Sequence, residues 1–246
     1  LWIHANDPGA DPGLLVRAER DLQAAVAAAP TLAGAWATLA FLLYARGDIA
    51  ASEQMARKAL EQDAWLEDAD QVLERLFQAA LMRADYRAAE EACDRGRASF
   101  PRDWRFVECR LSLLREDGTR RPDPVLAWRL VDELDALDPP ARAVAAGRAY
   151  SPIYRRMLAA AVSARAGDTE RARATLDRAR VDAAADPQAR VSLAYDEAVV
   201  LLLLGDRDQA RERLEVYLAQ NPGLRPFVAR DPLLRELFTA PVSKSR

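Results

Sequence analysis

Apolar residues recur along this chain at intervals of three and four positions, in runs broken by short polar segments. That is the period of helices with one buried face. Trp36, Leu39, Ala40 and Leu43 make one such stripe, and Leu73, Leu76, Phe77 and Ala80 make another. The breaks have a common form: Gly47-Asp48, Ala84-Asp85, Gly167-Asp168 and Gly205-Asp206. Glycine closes a helix because it enters the left-handed conformation without steric cost. The aspartate after it caps the next helix by accepting from free backbone N–H groups. Each second helix then carries small residues at i and i+7 and a larger apolar one at i+4. The first small residue of each copy falls at 18, 52, 89, 127, 172 and 210, giving spacings of 34, 37, 38, 45 and 38. A recurrence of this kind predicts stacked helical hairpins.

Trp36, Leu39, Ala40, Gly47, Ala59 and Leu60 carry a resemblance to the tetratricopeptide repeat (TPR) family over residues 14–222. In that best copy Ser52 and Ala56 replace the family's alanine and aromatic residue, and Ala64 replaces its proline. The resemblance implies an all-α, right-handed superhelical solenoid of antiparallel helix pairs, with five to six repeats across residues 14–222. Residues 1–238 are expected to be a single domain closed by a capping helix over 230–238, followed by a flexible tail at 239–246. The capping helix is expected from Asp231, Pro232, Leu233, Leu234 and Leu237. Residues 116–124 and 139–152 read as inserted loops, and the repeat around 103–139 is the least regular. In the copy that ends at Gly167-Asp168, Arg156 takes the slot filled by Trp36.

Composition agrees with helices. Of 246 residues 51 are alanine, half are hydrophobic and only 7% are aromatic, which disfavours a β-rich fold. Among 35 basic residues only Lys58 and Lys244 are lysine, and the net charge of −3 gives no global field to recruit nucleic acid. Arg171, Arg173, Asp177, Arg178 and Asp182 alternate in sign, as on a solvated, salt-bridged helix face. The uncharged run from Leu22 to Ala45 is interrupted by Pro30, and the part beyond it, Thr31 to Ala45, has fifteen residues, short of the ~20 that span a bilayer as one helix. Membrane insertion is therefore not expected; the expected location is cytoplasmic, or else the chain is a cytoplasmic or periplasmic part of a larger protein. Leu1–Ala5 opens the chain as an apolar fragment without methionine, and is read as the start of a piece of a longer protein.

Candidate chemistry is sparse. His4 is the single histidine, and the phosphate-binding, H-E-x-x-H, C-x-x-C and G-x-S-x-G motifs are missing from the sequence. Cys93 and Cys109 fit neither a disulfide framework nor a zinc site and are expected to be buried small hydrophobes. The pairs Glu90/Glu91 and Asp132/Glu133 are helix neighbours that diverge, so they do not form an acid–base couple. Ser151, before Pro152, reads as a helix N-cap. No catalytic residue, cofactor or metal site is expected.

The functional expectation is a non-catalytic scaffold that binds a peptide or helix of a partner protein. The resemblance implies a concave groove lined by the first helix of each pair. One turn off the core stripe, this register selects Phe41, Tyr44, Gln71, Glu74, Gln78, Tyr154, Met157, Tyr195 and Val199, with core packing the competing role for Phe41, Met157 and Val199. The lysine and asparagine clamp that some relatives use for a C-terminal carboxylate is replaced by Ala37, Phe41 and Arg75. This arginine-rich, lysine-poor segment is similar to the C-terminal halves of bacterial serine/threonine kinases and of transcriptional regulators. The alternative function is therefore a regulatory arm of a larger signalling protein. A helical-repeat RNA binder is disfavoured by charge and spacing.

Overall fold

The computed structural model describes residues 13–116, 121–137 and 152–238. Every regular element among them is helical, and they belong to two compact units, Leu1–Pro101 and Arg102–Arg246. The first holds α1 (Gly13–Ala28), α2 (Ala33–Ala45), α3 (Ile49–Gln62), α4 (Ala69–Met82) and α5 (Tyr86–Ser99). The second holds α6 (Trp104–Arg115), α7 (Pro124–Leu137), α8 (Pro152–Arg165), α9 (Thr169–Ala183), α10 (Pro187–Leu203) and α11 (Arg207–Gln220).

Within each unit every helix packs on the next, and alternate helices also touch: α2 meets α4, α6 meets α8, and α8 meets α10. This is a repeat-like arrangement of all-helical structure. Its turns share one chemistry. Gly47, Gly167 and Gly205 have φ of 81°, 83° and 85°, and Ala84 has the only positive φ among the non-glycine residues described, at 56°. In each case that residue's N–H donates three residues back, and the following aspartate's N–H donates five residues back, to Leu43, Ala80, Ser163 or Leu201. The pair of bonds satisfies carbonyls that the helix end would otherwise leave open. The Asp48, Asp85 and Asp168 side chains then accept from Ala51, Ala88 and Arg171 N–H at 3.1–3.2 Å. Asp206 differs: its carboxylate takes the Arg173 guanidinium at 2.6 Å instead.

The small positions of the repeat are where the helices close on one another. Ser52, Ala89, Ala127, Ala172 and Ala210 are fully buried and Ala18 is 8% exposed. Ser52 also donates its hydroxyl to the Ala40 carbonyl at 2.7 Å, joining α3 to α2. Small side chains allow that approach, and Ala56, Leu176 and Leu214 at i+4 fill the space beside it.

Charged side chains enter the packing more deeply than their sequence pattern suggests. Buried Glu53 of α3 holds Arg57 at 2.7 Å and also pairs with Arg83. Next to α6, Arg115 donates to Glu116 at 2.6 and 2.9 Å, with Glu116 almost wholly enclosed. Burial alone would lower the Arg115 pKa, but Glu116 and Asp231 outweigh it and keep the guanidinium above its ordinary value. Both carboxylates are buried, although Arg57 and Arg83 remain about half exposed.

The C-terminal stretch corrects one expectation. Residues 230–238 form a turn capped by Asp231, which accepts from Leu233 N–H at 2.8 Å, and then a 3-10 turn, Arg235–Leu237, in place of an α-helix. Leu234 and Leu237 are nonetheless buried against the preceding helices, each burial stabilising by about 1.5–3 kcal/mol. Cys93 and Cys109 are buried as expected, but each is disulfide-bonded and neither is a free thiol. The expectation that they take no part in a disulfide is thereby overturned, while their burial stands. The Ser151 cap, the tail and most of both inserted loops lie outside the described residues.

Candidate functional site

In the first unit the expected groove residues come together on the side where α2 faces α4. Phe41 and Tyr44 lie one turn apart on α2, and both are half-buried. The Arg75 guanidinium, from α4, sits 4.0 Å from the Tyr44 ring centre and 5.0 Å from that of Phe41. A planar cation over two aromatic faces is held by their quadrupoles as well as by contact area. Burial is the largest influence on the Arg75 pKa and lowers it, while Tyr44 and Glu74 act in the opposite sense. The Arg75 Nε is enclosed without a hydrogen-bond acceptor among the described residues.

Polar side chains border this cluster along α4. Gln78 donates to Glu74 at 3.1 Å, and Gln71 donates to Asp68 at 2.9 Å. Gln71 is exposed, whereas Glu74 and Gln78 are half-buried. The surface thus presents two aromatic edges, a stacked guanidinium and amide groups within a short span. Arg75 was recognised in the sequence only as a departure from a lysine clamp. Its stacking on Tyr44 and Phe41 depends on where α4 crosses α2, which no spacing along the chain encodes.

The remaining expected residues lie in the second unit, where the surroundings differ. Met157, Tyr195 and Val199 are 2%, 9% and 3% exposed and belong to one apolar cluster with Val228, Leu234 and Leu237 of the C-terminal stretch. Tyr195 donates its hydroxyl to Asp231 at 2.9 Å and meets the Tyr217 ring edge-on at 5.3 Å between centres. These three side chains offer a partner little surface. Tyr154 is half-buried and packs beside the cluster containing Val107, Leu111 and Leu158.

Among the described residues no group of three or more His, Cys, Asp or Glu side chains could hold a metal ion. No described helix is long and apolar enough to cross a membrane. Comparison with protein-family models and with curated protein sequences finds no match to this chain.

Proposed function

We propose that the chain is a tetratricopeptide-like solenoid that works as a protein-interaction scaffold, holding a peptide or helix of a partner against α2 and α4. Supporting the repeat reading are the four glycine-or-alanine turns of common hydrogen bonding, each followed by an aspartate, and the burial of all six small register positions. The observation that carries the binding reading is the Phe41–Arg75–Tyr44 cluster, half-buried and bordered by exposed Gln71. Arginine and tyrosine are the side chains that most often dominate binding energy at protein interfaces. A guanidinium already stacked on two rings also loses little side-chain freedom when a partner carboxylate or carbonyl meets it.

The test is site-specific photocrosslinking in cells of the source organism, with a photoreactive residue at Gln71 or at Val181. Val181 is 67% exposed on α9 of the second unit. A discrete adduct through Gln71 that is lost when Arg75→Glu is added supports the reading. Adducts through Val181 alone, or an adduct through Gln71 indifferent to Arg75→Glu, would overturn it.

A further inference from the structure

A cavity of about 290 Å³ opens between α7, α8 and α9 in the second unit, well apart in sequence from the α2–α4 cluster. Its apolar lining includes Trp128, Ile153 and Ala179, and its charged lining is Arg156, Arg171, Arg178 and Asp182. A departure from the repeat coincides with it. In the best copy the slot is filled by Trp36, whose indole donates to the Pro30 carbonyl at 2.7 Å beneath the Lys58 ammonium, 4.5 Å from the ring. The copy that ends at Gly167-Asp168 places Arg156 there, and Arg156 is one of the residues lining the cavity.

Charge in the cavity is unbalanced. Asp182 accepts Arg178 Nε at 2.9 Å and stands 3.9 Å from the Arg156 guanidinium, so one carboxylate serves two arginines. Arg171 meets no carboxylate among the described residues; its guanidinium lies 4.4 Å from the Trp128 ring centre. Three guanidiniums against one carboxylate leave an excess of two positive charges around an aromatic wall. Trp128 is itself fixed, its indole N–H pointing to the buried Ser163 hydroxyl at 3.4 Å. The sign alternation along α9 reads in sequence as self-neutralising, but Arg171 is left over from that balance.

We propose that this cavity binds a free small molecule made of one aromatic ring bearing an oxyanion, either a carboxylate or a phosphate. The ring would lie against Trp128, Ile153 and Ala179, where stacking and burial favour it. The oxyanion would meet Arg171 and Arg156, the guanidiniums least engaged by Asp182, in charge-assisted hydrogen bonds. The volume lies just under the ~300–1,000 Å³ range of small-molecule pockets, which suits one ring and not an extended ligand.

The test follows the indole N–H signal of Trp128 by two-dimensional NMR of the full chain, assigned with Trp128→Phe. The probes are benzoate, phenyl phosphate, benzyl alcohol and inorganic phosphate at equal concentrations. Expected is a saturable shift at Trp128, and none at the Trp36 indole, with benzoate or phenyl phosphate; which of the two binds tighter identifies the oxyanion. Benzyl alcohol has the ring without the charge and inorganic phosphate the charge without the ring, and neither should shift the signal comparably. Arg171→Gln should weaken binding by about tenfold, the worth of one charge-assisted contact. Arg173→Gln, one residue pair along the same helix and engaged with Asp206, should leave it unchanged. An unmoved Trp128 signal with both aromatic acids, an equal response to all four probes, or insensitivity to Arg171→Gln would each overturn the assignment.

Discussion

Glu197 of α10 receives the Arg180 side chain of α9 at 2.5 Å and stands 3.9 Å from the Arg213 guanidinium of α11. One carboxylate, 6% exposed, therefore ties three consecutive helices, while its two arginines remain 44% and 36% exposed. Glu197→Ala should destabilise the protein by about 1–3 kcal/mol, because it removes charge-assisted bonds that the interior shields from water. The cost stays below that of a fully buried pair because both arginines can rehydrate. Arg87→Ala breaks the exposed Arg87–Glu91 pair, 84% and 62% exposed, and should change stability by no more than about 0.5 kcal/mol. Urea unfolding of the two variants beside the parent chain measures both; equal effects would refute the bridging role of Glu197.

Ala84 occupies the left-handed position that Gly47, Gly167 and Gly205 hold in the other turns. An L-residue there costs roughly 1–2 kcal/mol, and glycine in the unfolded chain returns about half of that as entropy. Ala84→Gly should therefore stabilise by about 0.5–1 kcal/mol. Gly167→Ala should lose a similar amount purely through the backbone, since a Cβ at Gly167 would meet nothing within 4 Å. The signs can be read from thermal midpoints, and a destabilising Ala84→Gly would contradict the turn assignment.

The state of the cysteines is a direct chemical count. Protein denatured without reductant should show no reactive thiol, and reduction should release both of its two cysteines. Such a result would also bear on location, because disulfides persist chiefly in oxidising compartments. Two thiols before reduction would restore the expectation of buried, reduced side chains.

Much of the helical repeat was legible in the sequence because it rests on local chemistry. Gly47-Asp48 and Gly167-Asp168 state their own backbone conformation and cap, and Ala172 and Ala210 are small because neighbouring helices press on them. Properties set by where separate helices cross were not legible. Glu197 looks like any acid among arginines until α9 and α11 are placed beside it. Glu116 reads as the start of an inserted loop, yet it forms an enclosed pair with Arg115 near Asp231, far along the chain. The groove residues divide on the same ground. Phe41 and Tyr44 keep an open side, whereas Met157 and Val199 are covered in a cluster shared with the C-terminal stretch. Arg156 was the one sequence signal for the cavity, as a charged residue in an aromatic slot, but its meaning needed Trp128 and Arg171.

The most direct measurement of the central claim is the affinity, by calorimetry, of the partner segment captured through Gln71 for four forms of the chain. Arg75→Ala and Tyr44→Ala should each weaken binding by about tenfold or more, as loss of an interface anchor does. Arg75→Lys should recover little, because an ammonium cannot reproduce the stacked planar contact with Tyr44 and Phe41. Circular dichroism checks that each variant retains its helices. Unchanged affinity in folded Arg75→Ala and Tyr44→Ala would contradict the claim that this α2–α4 surface is where the partner is held.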